Sequence, residues 1–280
     1  KDEPARVQPA HPDSSLLFEM LVTKDEEEQM PQKSEPLSAK EVALFRKWIE
    51  EGAMFDGKDP TTPLAQVIPA REHAPAPAKY PRPLPITALA FSPNGKELAV
   101  SGLREVTVWD PATGALQRRI SGMAQRTYAL AWNPDGSTLT AGGGIPGELG
   151  EARIFDAMTG DLKAVMHQAG DVVLDVQYDV NGTLLAVADA DNFITVYHTN
   201  DLSTRLRIDN HSDWVMAVTF SPDIRFLASA SRDRSAKIFE MKTGDTISTY
   251  GGHGVPVLGV AFRGDGKQMF SSGRGGKIHV

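Results

Sequence analysis

Cysteine is absent from the 280 residues of this chain, which excludes disulfides, thiolate metal sites and a cysteine nucleophile. The sequence also lacks an apolar run of about 18 residues, so we predict no membrane span. The opening residues 1–4 have no apolar core of the signal-peptide type and no initiator methionine. We therefore expect a mature or clipped piece of a longer protein.

Positive charge is scarce as well. The chain holds 29 Lys and Arg against 36 Asp and Glu, a formal net charge of −7 at pH 7. Most of this excess lies in residues 1–57, where acidic residues outnumber basic ones by 13 to 7. Because no part of the chain carries a basic stripe, binding to nucleic acid through phosphate neutralisation is not expected.

Composition divides the chain into three parts. Residues 1–57 are acidic and have helical patterning, whereas residues 58–85 contain eight prolines, which is typical of a stiff, extended linker. Across residues 86–280, short β patterns alternate with turns rich in Gly, Asn and Asp. We predict a small helical part, a Pro-rich linker and a larger β domain.

Two helices are predicted within residues 1–57. One begins at a capping box formed by Ser38 and Glu41 and ends at Gly52. Its expected apolar face consists of Val42, Phe45 and Ile49, with Leu44 and Trp48 alongside. The other, shorter helix is predicted from about Asp13 to Val22. Two helices in so few residues form too small a core to be stable alone, so we expect part of this domain to be missing.

The β domain contains an internal repeat of about 42 residues. Each repeat has an aromatic residue followed by a turn of Asn or Asp with Gly, which is Ile in the fourth repeat. The aromatic positions are Phe91, Trp132, Tyr178, Phe220 and Phe262. The strand before each aromatic alternates with period two and places a small residue on one face in four of the five repeats, which is typical of a crowded innermost strand. We predict inner strands near residues 86–91, 127–132, 173–178, 215–220 and 257–262.

Further strands follow in each repeat, and the third ends in an aromatic and a polar residue, such as Trp109-Asp110. Four strands per repeat describe a propeller blade. The pattern resembles the WD-repeat family, which implies an incomplete β-propeller of four blades and most of a fifth, truncated at its C-terminus. No blade combines the His, Ser, Asp and Trp of the family's buried tetrad, so we expect that network to be incomplete. His211 and His253 are interpreted as structural blade residues.

Residues 1–57 are similar to the C-terminal half of the planctomycete-type cytochrome c domain. The similarity runs through Pro9–Leu17, Gln29–Pro31, Pro36–Leu44 and Trp48–Ala53. The resemblance implies that Met30 is an axial ligand of haem iron in the intact parent protein. The Cys-x-x-Cys-His attachment motif is absent, so no haem c is expected in this chain alone. The resemblance also implies a periplasmic or otherwise exported protein.

Other patterns have simpler interpretations. Met30 would also serve as a core methionine that fills a gap. The acidic run Asp25–Glu28 fits a solvated cluster better than a docking site for a basic redox partner. The glycine-rich stretch Gly142–Gly150 lacks the Lys-Ser/Thr of a phosphate loop, and we predict a mobile surface loop there.

Two functions remain open from the sequence. The first is a WD-repeat scaffold, binding other proteins through the propeller faces, joined to an electron-transfer module with a possible redox partner. The alternative is a pure protein-interaction scaffold with a haem-less cytochrome-like remnant. An enzyme is not expected, because the inner strands offer mostly Ala, Gly and Thr rather than paired carboxylates or metal-binding histidines.

Overall fold

A computed structural model describes residues 6–25, 28–30, 36–54, 70–80 and 83–280. The chain divides into two compact units, Lys1–Thr62 and Pro63–Val280. The division falls inside the predicted linker. Residues 58–69 and 81–82 of that linker, Pro31 and residues 26–27 of the acidic run lie outside the described residues.

The first unit contains the two predicted helices. A 3₁₀ turn, Pro12–Ser14, precedes helix α1, Leu16–Val22, and helix α2 spans Ala39–Glu50. The capping box is confirmed, because the Ser38 hydroxyl accepts from the Glu41 backbone N–H while the Glu41 carboxylate accepts from the Ser38 N–H. Gly52 follows α2 with φ of +98°, the left-handed conformation that glycine adopts without strain.

The core of this unit differs from the predicted apolar face. Phe18, Leu21 and Ile49 are buried, whereas Phe45, Trp48 and Leu44 remain exposed. The backbone N–H of Ala10 donates to the Ile49 carbonyl at 2.7 Å, so the segment before α1 pairs with the end of α2. A narrow contact along one edge of α2 therefore replaces the broad face that periodicity suggested.

The described residues of the second unit form 18 strands. The first seven are β1 Leu89–Phe91, β2 Leu98–Ser101, β3 Leu103–Trp109, β4 Leu116–Trp132, β5 Thr138–Ile145, β6 Leu149–Asp156 and β7 Leu162–Ala169. The next eight are β8 Val173–Tyr178, β9 Leu184–Asp189, β10 Ile194–His198, β11 Thr204–Ile208, β12 Val215–Phe220, β13 Phe226–Ser231, β14 Ala236–Glu240 and β15 Thr246–Tyr250. The last three are β16 Val257–Phe262, β17 Met269–Gly273 and β18 Ile278–His279.

These strands form antiparallel sheets in sequence order, consistent with a WD-repeat propeller. Strands β8–β11 and β12–β15 make four-stranded sheets, and β16–β18 make a three-stranded one. The five predicted inner strands are confirmed as β1, the end of β4, β8, β12 and β16. We call each repeat a blade and number the blades one to five along the chain.

The first two blades differ from the predicted separate sheets. Strand β4 continues from the outer position of blade one to the inner position of blade two, so β1–β7 form one seven-stranded sheet. Pairing stops at Ser121 opposite Glu105 and resumes at Arg126, which lies opposite both Leu103 and Gly144, with a register shift between them. One bulged strand therefore replaces the loop that usually separates two blades.

In blades two to four, the inner-strand aromatic packs against the preceding blade. The Trp132 ring nitrogen donates to the Ala90 carbonyl of blade one at 3.1 Å. The Tyr178 hydroxyl lies 2.7 Å from the Thr140 hydroxyl of blade two, and Phe220 shares a core with Ala186 of blade three. The main apolar cores thus lie between blades rather than within them.

The glycine-rich stretch is not a surface loop, and that prediction is wrong. Strands β5 and β6 form a long hairpin, and Gly142, Gly143 and Gly144 are buried within it. A Cβ atom on Gly143 would lie 2.0 Å from the Arg126 carbonyl oxygen, and one on Gly150 would lie 2.0 Å from that of Asp171. The glycines are therefore needed where the hairpin approaches neighbouring backbone closely.

Candidate protein-interaction site

A Ser–His–Asp arrangement occurs in blade four. His211 Nε2 lies 2.6 Å from the Ser229 hydroxyl, and His211 Nδ1 lies 2.7 Å from the Asp233 carboxylate. The distances resemble those of a nucleophilic triad, but Ser229 and His211 are buried, so no substrate carbonyl can reach the hydroxyl. The Trp position of this blade holds Phe239, which packs edge-on to His211. The network is structural, and the tetrad lacks its Trp as predicted.

Electrostatics support a neutral His211 beside an ionised Asp233. Burial lowers the pKa of His211 despite its contact with Asp233. Burial alone would raise the pKa of Asp233, but hydrogen bonds with Ser235 and His211 outweigh it and lower that pKa to about 2. A neutral imidazole donates to the carboxylate through one nitrogen and accepts from Ser229 through the other. All three side chains are then satisfied inside the blade.

Blade three contains a second buried network that the sequence analysis did not identify. His167 lies 2.8 Å from the Tyr197 hydroxyl through Nδ1 and 3.2 Å from Asp189 through Nε2. His167 comes from the outer strand β7 of blade two, so it is out of register with His211. In blade five, His253 Nε2 contacts the Ser271 hydroxyl at 2.9 Å, as expected for a structural residue.

Met30 lies where the sequence placed it, in the connection between α1 and α2. The residue is half-buried in a bend, and its backbone N–H donates to the Met20 carbonyl at 2.8 Å. Nothing in these contacts tests its assignment as an axial ligand, which stays a prediction. The chain has no cysteine to attach a haem covalently.

The described residues hold no group of three or more His, Asp or Glu side chains placed to bind a metal ion. Nor does any helix in the described ranges have the length and apolar character needed to cross a bilayer.

An apolar groove of about 650 Å³ lies on blade one. Its apolar lining comes from the inner, second and third strands and from the segment before β1. These residues are Tyr80, Leu84, Ile86, Phe91, Leu98, Val100, Trp109 and Pro111. The repeat explains this surface, because it is the face through which a blade packs against its predecessor.

Exposure of the repeated aromatic shows how blade one differs. Phe91 is 61% exposed, whereas Trp132, Tyr178 and Phe220 at the equivalent positions are 8–9% exposed. Leu89 and Ile86 beside Phe91 are exposed to a similar degree. Blade one therefore presents to solvent an apolar face that is covered in blades two to four. Exposed apolar patches of this kind mark contact surfaces.

Comparison with known proteins agrees with the repeat. Residues 80–110, 203–240 and 244–280 match the family described as WD domain, G-beta repeat. WD repeat-containing protein SL1-17 of Schistosoma mansoni is 27% identical over 165 residues, which cover 59% of this chain and 53% of that protein. Nuclear distribution protein PAC1 of Coccidioides posadasii is 30% identical over 181 residues, covering 60% and 38% respectively. The chain spans about half or less of the length of these relatives, and its similarity to WD repeats lies in the three matched segments.

The comparisons correct the cytochrome c resemblance. All three matching segments lie within residues 80–280, and both relatives carry names that refer to WD repeats or nuclear distribution. No match supports a cytochrome c domain in residues 1–57, so that assignment was wrong. The expected haem c, redox partner and exported location depended on that resemblance, and none of them enters the proposed function.

Proposed function

We propose that this chain is a protein-interaction scaffold built on WD repeats, and that a further β-sheet packs on the exposed face of blade one, as the preceding blade does in blades two to four. The exposure of Phe91, at a position that is covered in blades two to four, carries this proposal. The WD-repeat matches support a binding role rather than a catalytic one. The buried Ser229–His211–Asp233 arrangement offers no accessible nucleophile.

The repeat also indicates the shape of the partner. In blades two to four this face packs against a neighbouring β-sheet, with small and aliphatic side chains such as Ala99 and Ala186 in the contact. We expect the partner surface to be a similar sheet, because only a flat face with small residues admits a ring like that of Phe91. Burying Phe91 and Leu89 contributes about 2 kcal/mol each to binding.

Photo-crosslinking tests the proposal. Phe91 is replaced by p-benzoylphenylalanine, and the matched control places the same group at Met158, which is 85% exposed on a turn of blade two. We expect discrete adducts from position 91 and none from position 158, with the linked partner residues lying on a β-sheet. Adding Leu89→Asp should abolish the adducts from position 91. Equal labelling at both positions, or no adduct at position 91, would contradict the proposal.

A further inference from the structure

Two buried glutamates occupy equivalent positions in blades one and two. Glu105 lies four residues before Trp109 at the end of β3, and Glu151 lies four residues before Phe155 in β6. The Glu105 side chain is 1% exposed and that of Glu151 is 3% exposed. A buried carboxylate is costly unless it is paired. These positions therefore need specific partners.

The same position holds different residues in the next two blades. Blade three has Phe193 there, and blade four has Ser235. The buried glutamate is thus not a general requirement of this blade, and its explanation must lie in what blades one and two have in common.

Each glutamate is held by an arginine through two hydrogen bonds. Arg119 donates to Glu105 at 2.6 and 2.7 Å, and Arg153 donates to Glu151 at 2.9 and 3.1 Å. Such bidentate pairs fix the plane of the guanidinium group. Because each guanidinium has five N–H donors, donors remain for a further acceptor. Blades one and two thus each present a rigid glutamate–arginine pair, in which the guanidinium group keeps N–H donors free for another acceptor.

Residues 70–80, which lie in the predicted linker, contact both glutamate–arginine pairs. His73 Nε2 lies 2.7 Å from the Glu151 carboxylate, and its side chain is only 6% exposed. The Tyr80 hydroxyl donates to the Glu105 carboxylate and accepts from the Leu103 N–H at 3.3 Å. Each glutamate is therefore contacted by the ring of one side chain, His73 or Tyr80, from a segment that has no regular secondary structure.

Each arginine also binds the backbone of that segment. Arg153 donates to the Arg71 carbonyl at 2.6 Å, and Arg119 donates to the Pro77 carbonyl at 3.1 Å. Proline has no N–H to donate, so a proline-rich backbone is recognised mainly through its carbonyls. The two guanidinium groups supply donors for that kind of recognition.

Glycine makes room for the second ring. A Cβ atom on Gly102 would lie 2.7 Å from the Tyr80 hydroxyl oxygen and 2.9 Å from a side-chain carbon of Glu105. Only glycine admits the phenol at this depth. The pocket for Tyr80 is therefore a feature of blade one itself, formed by Gly102, Glu105 and Arg119.

We infer that blades one and two carry a two-pocket site for an extended, proline-rich peptide, and that residues 70–80 occupy it in cis. The fitting partner is a segment of another protein with an imidazole and a phenol seven residues apart, as His73 and Tyr80 are. Such a segment would have to displace residues 70–80. The site adjoins the groove of blade one, because Tyr80 and Phe91 both line that groove. The inference goes beyond the proposed function, which does not require residues 70–80.

The test measures binding of a fluorescent peptide with the sequence of residues 71–80. The full chain carrying His73→Ala and Tyr80→Ala is compared with the unaltered chain by fluorescence anisotropy. We expect the altered chain to bind at least about tenfold more tightly, because the tethered segment no longer competes at high effective concentration. A control peptide with both rings replaced by alanine should bind neither chain.

Two further variants keep the inference falsifiable. In the altered chain, Arg119→Met should weaken peptide binding at least about tenfold. The control Met158→Asp, at a side chain 85% exposed on a turn of blade two, should leave peptide binding unchanged. Should the doubly altered chain not fold, Tyr80→Phe alone removes one hydroxyl and should still raise peptide affinity. A folded altered chain that does not bind the peptide would overturn the inference and make residues 70–80 a purely structural strap. Equal binding of the control peptide would also overturn it.

Discussion

The carboxylate of Asp175, on the inner strand of blade three, accepts a hydrogen bond at 2.9 Å from the backbone N–H of Val218 on the inner strand of blade four. It also accepts from the Val176 N–H at 2.9 Å. Burial raises the pKa of Asp175 to about 7, although both N–H groups act in the opposite direction. Asp175 thus links two blades at a site where its charge is disfavoured.

A pH-dependent stability follows from that pKa. The folded chain binds this proton more tightly than the unfolded chain, where the pKa of Asp is about 3.9. The stability that the folded chain gains from binding this proton is therefore fully present below about pH 4 and is lost as the pH rises through about 7. We expect Asp175→Asn to stabilise the chain by about 2 kcal/mol at pH 8 and by much less at pH 4.5. Urea unfolding at the two pH values measures this difference.

The exposed Asp245 provides the control for this experiment. Asp245→Asn should change the free energy of unfolding by less than about 0.5 kcal/mol at either pH. If Asp175→Asn raises the free energy of unfolding equally at both pH values, the charge of Asp175 is not the cause of the stabilisation.

Gly143 should not tolerate a side chain. A Cβ atom there would meet the Arg126 carbonyl at 2.0 Å, and backbone cannot move aside as a flexible side chain can. We expect Gly143→Ala to lower the free energy of unfolding by about 3 kcal/mol and the melting temperature by roughly 5–10 °C. The matched change Gly264→Ala has no atom within 4 Å and should leave the melting temperature nearly unchanged. Similar melting temperatures for the two variants would disprove the close approach.

The buried hydrogen-bond network around His211 in blade four should contribute more to the free energy of unfolding than the His253–Ser271 contact in blade five. His211→Ala removes the imidazole that contacts both Ser229 and one oxygen of the Asp233 carboxylate. We expect a loss of about 3 kcal/mol in the free energy of unfolding. His253→Ala breaks one hydrogen bond, with Ser271, at a half-buried site and should cost about 1 kcal/mol. Chemical denaturation of both variants compares them, and the reverse order would refute this ranking.

Blades one and four provide a matched pair of aromatic substitutions. Phe220→Ser empties a covered inter-blade core and should lower the free energy of unfolding by about 4 kcal/mol. Phe91→Ser acts on the exposed face and should cost less than about 1 kcal/mol while increasing solubility. Comparable losses for the two changes would mean that Phe91 is covered in solution.

The sequence alone determined the features that depend on local chemistry. Turn residues and period-two alternation located the five inner strands, and Ser38 with Glu41 set the start of α2. Both signals act within a few residues of chain, so they can be read without knowing the fold. The same local reading did not separate a WD-repeat chain from a cytochrome fusion, because short helical patterns are shared by many proteins.

Tertiary structure decided what depends on residues far apart in the chain. Gly142–Gly150 looks like a loop by composition, yet Arg126 and Asp171 approach it so closely that glycine is required in a strand. The pockets for His73 and Tyr80 are formed by residues 22 to 80 positions away. The exposure of Phe91 depends on which blade lies beside it. Contacts between residues far apart in the chain leave no repeating pattern in the sequence, so only the folded chain reveals them.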